Sequence, residues 1–230
     1  MTKQNKSPKV KVIETRDGSS SLLLPDMNET YHSTHGAITE SKYVFLKMGL
    51  EYYIQTNPEK SSINILEIGF GTGLNPWLTA LAPLQSEVGI HFTSLEKYRL
   101  SKEVVDALNY GQQHGEEGLF DKVHECGWEE QCQITKQFSL KKLEADIFEF
   151  DWKENSFDII YFDAFAPSKQ PEMWSLDILK AMYSTLQDKG IFVTYCAQGQ
   201  FKRDLKTAGF NVETLEGPPG KKQMTRGEKC

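Results

Sequence analysis

Several glycines and acids in this chain have the types and spacing to do chemistry. Glu67-Ile68-Gly69-Phe70-Gly71-Thr72-Gly73 follows an acid with three glycines at alternate positions. Glycine lets the backbone pass close to a ligand and turn sharply into a helix. A dinucleotide fingerprint wants a further glycine at position 74, where this chain carries Leu74. Gly-x-Gly-x-Gly after an acid is instead the loop that holds S-adenosylmethionine in Rossmann-like methyltransferases. Glu96 lies 23 residues after Gly73, where a carboxylate can accept both ribose hydroxyls of an adenosine. Asp146 is placed to take the adenine amine, with Glu144 as its neighbouring alternative. Asp163-Ala164-Phe165-Ala166-Pro167 then offers a carboxylate that can aim an amine lone pair at a methyl carbon and a ring that can stack on a planar base. An unperturbed carboxyl near ~3.9 is a poor base, so orientation and electrostatics are expected of Asp163 rather than proton abstraction.

The elements that position these residues follow from periodicity. Short apolar runs alternate with helical stretches from Ile63 onward, the pattern of an α/β parallel sheet. Strands are expected at 63–68, 89–95, 137–143, 157–162, 190–195 and 210–215, and each candidate acid falls at a carboxyl end, where open α/β sheets bind ligands. Helices are expected after Gly73, over about 100–110, through Trp128 to Cys132, over 176–186 and over 199–208. The 176–186 helix should be stopped by Asp188-Lys189-Gly190, and 223–226 should return as a short antiparallel edge. Ahead of this core, 10–15 and 20–24 read as a hairpin around Arg16-Asp17-Gly18-Ser19. Residues 37–54 read as a helix with Tyr43, Leu46, Leu50 and Tyr53 on one stripe. The expected organisation is a hairpin and helix appendage over 1–60 and a methyltransferase core over 61–230, as one compact domain.

The 230 residues carry a formal net charge of −6, with basic ends and an acidic body. Lys3, Lys6, Lys9 and Lys11 open the chain, and Lys221, Lys222, Arg226 and Lys229 close it against Glu228 alone, which leaves −13 for residues 12–220. No apolar run reaches the ~18 residues of a membrane span, and no signal core follows Met1, so a cytoplasmic protein is expected. Cys126, Cys132, Cys196 and Cys230 form no Cys-x-x-Cys pair, and neither a zinc site nor a disulfide is expected. His32 and His35 lack the acid or thiol that would complete a metal site.

The glycine loop with Leu74-Asn75, together with Asp163-Ala164-Phe165-Ala166-Pro167-Ser168-Lys169-Gln170-Pro171-Glu172-Met173-Trp174, resembles one family. It is the methyltransferase domain of the bacterial bifunctional tRNA 5-methylaminomethyl-2-thiouridine biosynthesis protein and its stand-alone relatives. The likeness extends to 39–46, 94–97, 208–210 and 220–224 and covers the chain from about residue 20. Ala164 stands where the bifunctional proteins carry Gly. The resemblance implies a Rossmann-like class I fold and methyl transfer from S-adenosylmethionine to the 5-aminomethyl group of a tRNA wobble uridine. It puts Glu67, Gly69, Gly71, Gly73, Asn75, Glu96 and Asp146 on the cofactor, and Asp163 and Phe165 at the reaction. Tyr31, Glu40, Lys169, Trp174, Lys221 and Lys222 would face the substrate: Tyr31 and Trp174 with Phe165 would hold a flipped-out uracil, while Lys221, Lys222 and Arg226 would neutralise phosphates of the anticodon stem-loop.

The chain is too short to hold the FAD-dependent oxidase half of the bifunctional protein, and it carries no signal for an oligomeric state. A methyltransferase of a small amine metabolite and a non-catalytic nucleoside-binding module remain the alternatives. Leu74 and Glu96 lead to one expected outcome: calorimetry should detect S-adenosylhomocysteine and not NAD, and Glu96→Ala should weaken the cofactor without unfolding the chain. Micromolar NAD binding with no response to S-adenosylhomocysteine would overturn this.

Overall fold

The computed structural model describes residues 9–83 and 88–230. It opens with the expected hairpin, β1 (Lys11–Glu14) antiparallel to β2 (Ser20–Leu24), to which β3 (Glu29–Thr30) adds a third strand. The helical appendage runs without a break through α1 (Ala37–Ser41), a segment of wider π-type turns (Lys42–Glu51) and α2 (Tyr52–Thr56). The wider turns rotate the buried stripe away from a 3.6-residue register. Val44, Phe45, Leu46, Leu50 and Tyr53 are buried, while Tyr43 sits at the margin. The hairpin is pinned to α1 through Asp17, which accepts the Thr39 N–H (2.9 Å) and hydroxyl (2.7 Å).

The core follows as β4 (Ser62–Ile68), α3 (Leu74–Leu81), β5 (Gly89–Glu96), α4 (Lys102–Asp106), α5 (Tyr110–His114), α6 (Glu117–Glu125), β6 (Gln131–Thr135) and β7 (Phe138–Glu144). It continues through β8 (Phe157–Phe162), α7 (Leu176–Thr185), β9 (Leu186–Thr194), α8 (Gly199–Thr207), β10 (Asn211–Glu216) and β11 (Gln223–Glu228). The eight strands lie in the order β10-β11-β9-β8-β4-β5-β7-β6. Its five central strands are mutually parallel, and the remaining pairings are antiparallel. Successive side chains of a strand point to opposite faces, so the apolar run of β8 serves two cores at once. Ile159 and Tyr161 pack with Phe45, Leu50, Tyr53 and Trp77, whereas Ile160 and Phe162 pack with Leu179, Met182, Phe192 and Phe201. The appendage therefore covers one face of the sheet, and α7 and α8 cover the other.

Five expectations are corrected. The helix over 100–110 is divided into α4 and α5 around Ala107-Leu108-Asn109, because the Asn109 side chain turns to the hairpin, donating to the Gly18 carbonyl (2.9 Å) and accepting the Ser20 N–H (2.7 Å). Trp128 to Cys132 is not helical: α6 ends at Glu125 and β6 pairs antiparallel with β7. That reversal brings the Cys126 and Cys132 Cα atoms to 5.8 Å, and the two form a disulfide that a search for Cys-x-x-Cys spacing overlooks. Asp188-Lys189-Gly190 does not stop α7, which ends at Thr185; those residues form a bulge inside β9, with Lys189 at φ 61°. Finally, β11 lies between β9 and β10, so the sheet edge is β10.

Asp158, 1% exposed, joins appendage to sheet by accepting the Tyr53 hydroxyl (2.8 Å), the Lys60 ammonium (2.6 Å) and the Asn64 N–H (2.8 Å). Its removal leaves the buried Tyr53 hydroxyl and the Asn64 N–H without their acceptor, while Lys60, a third exposed, can turn to water. Asp158→Ala should lose ~3 kcal/mol of stability in urea unfolding, and a loss within the scatter of surface substitutions would show the junction to be dispensable.

Candidate active site

A cavity of ≈ 240 Å³ opens at the carboxyl ends of β4, β5, β7 and β8, closed on its outer side by the hairpin sheet. Its floor is the glycine loop, where Gly69, Gly71 and Gly73 all adopt positive φ (97°, 51° and 72°). A Cβ on Gly69 would lie 3.2 Å from the Asp163 carbonyl, and one on Gly71 3.2 Å from the Tyr31 ring. The loop is thus held close to both walls by having no side chains there. Glu96 fixes it from below, its carboxylate accepting the N–H groups of Gly71 (2.9 Å) and Tyr98 (2.7 Å). Burial pushes the Glu96 carboxyl up, against the pull of those N–H groups. Asp146 lines the same cavity beside Ile147 and pairs with Lys97 (2.6 Å); against partial burial, that ammonium and the Phe148 N–H hold its carboxyl low.

Asp163 closes the far end. Asn75 Nδ2 donates to its Oδ2 at 2.9 Å, while Asn75 Oδ1 is buried with no hydrogen-bond partner among the described residues. Burial, reinforced by the negative charge of Glu40, pushes the Asp163 carboxyl up to about 7, with the Asn75 amide and the Lys221 ammonium opposing. This revises the view of Asp163 as a poor base. A carboxyl that titrates near neutrality can take a proton from an alkylammonium. Beside it, Phe165 and Tyr31 meet edge to face at 5.2 Å and line the cavity together.

Gly69, Gly71, Asn75, Glu96, Asp146, Asp163, Phe165 and Tyr31 are therefore brought together, and other expected residues lie elsewhere. Glu67 is fully buried behind the loop, accepting the Ser94 hydroxyl, with burial holding its carboxyl well above the usual range. Gly73 turns the chain into α3, on the His124 side of the loop. Trp174 is not a stacking platform: it is 5% exposed, packed on Phe162 and Phe201, and its indole N–H donates to the Phe165 carbonyl (2.8 Å). It anchors the loop that carries Phe165. Lys169 spends its ammonium on the Met27 carbonyl (2.7 Å), tying that loop to the hairpin sheet.

The basic C-terminal cluster is also reassigned. Arg226 is 6% exposed, bonded to Glu213 and the Met48 carbonyl and stacked on Tyr52. Lys221 pairs with Glu40, and Lys229 donates to the Leu186 carbonyl. Lys222 is exposed, on a groove beside Pro167 and Gln198. Lys3 and Lys6 lie outside the described residues. Sequence reasoning missed Met27 and His32, both on the cavity wall, and Tyr195, whose hydroxyl donates to the Ala164 carbonyl (2.8 Å). Its place just after β9, at another carboxyl end, was the available signal for Tyr195.

Strand order, glycine loop and acids at the carboxyl ends define the class: a Rossmann-like, S-adenosylmethionine-dependent methyltransferase. A family model of S-adenosyl-L-methionine-dependent methyltransferases matches residues 121–230. The chain is 31% identical over 220 residues to the tRNA 5-methylaminomethyl-2-thiouridine biosynthesis bifunctional protein MnmC of Marinomonas sp. (strain MWYL1), covering 87% of the chain and 31% of that protein. It is 31% identical over 231 residues to the protein of the same name from Burkholderia multivorans, covering 90% and 33%. The chain thus spans about a third of the length of these curated relatives. The crystal structure of MnmC2 from Aquifex aeolicus aligns with a TM-score of 0.76 at 28% identity, over 97% of this chain and 71% of that one. Spermidine synthase from Thermotoga maritima shares the fold, with a TM-score of 0.61 at 16% identity, over 100% of this chain and 72% of that one. Within the class, the chain is similar over most of its own length to the MnmC proteins and to the MnmC2 structure.

Asp163 also makes stability depend on pH. Its carboxyl is raised from 3.8 to about 7, so the stability it contributes is complete below about pH 4 and is lost as pH rises through 7. Asparagine does not ionise. Asp163→Asn should therefore gain on the wild type between pH 4 and 8, by up to roughly 4 kcal/mol at ~1.4 kcal/mol per pKa unit. A Tm difference that is flat across this window in paired thermal melts would contradict it.

Proposed function

We propose that this chain methylates the 5-aminomethyl nitrogen of a tRNA wobble (thio)uridine, giving 5-methylaminomethyl-(2-thio)uridine. The observation that carries the reading is Asp163: a carboxyl pushed up to about 7 by burial, on the wall of a cavity of ≈ 240 Å³, with two aromatic rings beside it. An amine acceptor is mostly protonated near pH 7 and has no lone pair until that proton leaves. Asp163 receives it, and Asn75 keeps the carboxyl aimed into the cavity. Tyr31 and Phe165 hold the uracil plane. The name of the MnmC relatives, which specifies 5-methylaminomethyl-2-thiouridine biosynthesis in tRNA, supports this choice of acceptor.

The residues present fit S-adenosylmethionine. Gly69 and Gly71 leave a cradle that side chains would fill, Asn75 lies on the cavity wall with an Oδ1 that has no hydrogen-bond partner among the described residues, and Ile68, Leu95 and Ile147 offer apolar faces to an adenine. Glu96 would take the ribose hydroxyls with the lone pairs its two N–H donors leave open, and Asp146 the adenine amine. Glu67 and Gly73 support the loop from behind. When bound, the cofactor supplies an electrophilic methyl group on a sulfonium.

The test is mass spectrometry of wobble nucleosides. Purified chain and S-adenosylmethionine are incubated with tRNA carrying 5-aminomethyl-2-thiouridine, and that nucleoside should gain one methyl group. Asp163→Asn should lower kcat by ~10²–10⁴-fold with S-adenosylhomocysteine affinity nearly unchanged, and wild-type kcat/KM should rise with pH through about 7. Methylation of a free small amine with tRNA left untouched would replace this reading with that of a small-amine methyltransferase.

A further inference from the structure

Glu40 and Lys221 are 181 residues apart in sequence, yet Lys221 Nζ lies 2.5 Å from Glu40 Oε1. The pair stands on the wall behind Asp163 and joins α1 to the turn that precedes β11. Glu40 is 7% exposed, and its other oxygen accepts the Ser33 N–H at 2.9 Å. The Lys221 ammonium lies 3.7 Å over the Tyr195 ring, and the Tyr195 hydroxyl reaches the carbonyl of Ala164, the residue after Asp163. Gly220 adopts φ 88° with its Cα pressed on His35, so that a Cβ there would come within 2.5 Å of the imidazole. Neither member lines the cavity that holds Asp163: Glu40 is buried, and Lys221 borders the neighbouring groove beside Pro167.

We propose that the Glu40–Lys221 pair is a positioning element of the acceptor site, fixing the Asp163–Ala164 segment through Tyr195 and setting the charge that Asp163 faces. It rests on Asp163 as the proton acceptor. The groups facing that carboxyl are few and of known sign. Glu40 on α1 and Glu67 on β4 are acids; Lys221 is the cation; Asn75 on α3, Tyr110 on α5 and Tyr195 after β9 are neutral. Removing one charge of the buried pair leaves the other uncompensated beside Asp163. The two single substitutions must therefore act on Asp163 in opposite directions, which a purely structural role would not produce.

The test uses the full chain with carbon-13 in its aspartate carboxyls, titrated by NMR with the Asp163 signal assigned from Asp163→Asn. Glu40→Gln leaves Lys221 unopposed and should move the Asp163 midpoint down; Lys221→Met leaves Glu40 unopposed and should move it up, each by about half a pH unit or more. The double variant should return close to wild type, and Lys221→Arg should preserve the wild-type midpoint. In turnover, the acid limb of kcat/KM should follow the same two directions, with S-adenosylhomocysteine affinity within about threefold of wild type. Tyr195→Phe should lower kcat and leave the midpoint in place. Shifts of one common sign, or no shift in either single variant, would overturn the proposal. If Lys221→Met does not fold, Glu40→Gln against the double variant gives the same comparison. A wild type that methylates no aminomethyluridine would sink the proposed function and leave the NMR titration as an independent test of the pair.

Discussion

A carboxyl that is to take a proton near neutral pH must be kept from water without being handed a cation of its own, and the architecture around Asp163 follows from that constraint. Burial alone raises a carboxyl, while an unengaged ammonium nearby would pull it back toward its ordinary range. Strand β8, covered on both faces, ends at Phe162, so that Asp163 follows it onto the cavity wall, partly buried among apolar groups. The structure supplies a nearby ammonium too, but one paired with Glu40 and lying over an aromatic ring. The single hydrogen bond from Asn75 orients the carboxyl without bringing a charge.

Keeping water from this point requires walls that the parallel sheet cannot provide, since its carboxyl ends open outward. They come from the two ends of the chain. The hairpin sheet contributes Leu24, Met27 and Tyr31, and it is held in place from three directions: Asp17 bonds Thr39, Lys169 bonds the Met27 carbonyl, and Asn109 bonds Gly18. From the other end, the turn before β11 brings Lys221 against Glu40. The antiparallel insertion of β11 between β9 and β10 delivers that turn to the rim. A parallel last strand would have left its preceding loop at the opposite end of the sheet.

Much of this was legible from residue order. The central strands were visible because β4 and β8, buried on both faces, are near-continuous apolar runs and β5 and β7 alternate apolar with polar residues, and the glycine loop because its spacing is dictated by close approach to a ligand. The cavity acids were legible for the same reason: a carboxyl end is a position in sequence as well as in space. What was not legible depends on partners far away along the chain. Nothing in the local pattern distinguishes Trp174, which fills a core behind the loop, from a ring that faces a base. Lys221 and Arg226 read as surface cations until the fold sets Glu40 and Glu213 beside them. Cys126 and Cys132 meet only because β6 reverses on β7. Even Asp163, found at once as a position, was misjudged as an acid, because its proton affinity is a property of its enclosure.

The same reassignment changes how a polyanion could be recognised. The basic residues counted at the C-terminus are largely committed inside the protein: Arg226 to Glu213, Lys221 to Glu40, and Lys229 to backbone carbonyls at the start of β9. With a net charge of −13 over residues 12–220, these committed cations leave little of the C-terminal cluster for a phosphate track. Affinity that comes from phosphate contacts scales with the number of cations engaged and falls steeply with salt. Affinity that comes from stacking a base and enclosing it scales with the surface covered and depends less on salt. The exposed Lys222 beside the rim and the Tyr31–Phe165 pair inside it match the second mode, in which one extruded nucleotide is gripped and the backbone around it is touched lightly. That mode also suits the proposed acceptor, because a wobble base in an anticodon loop is already unpaired and costs little to extrude.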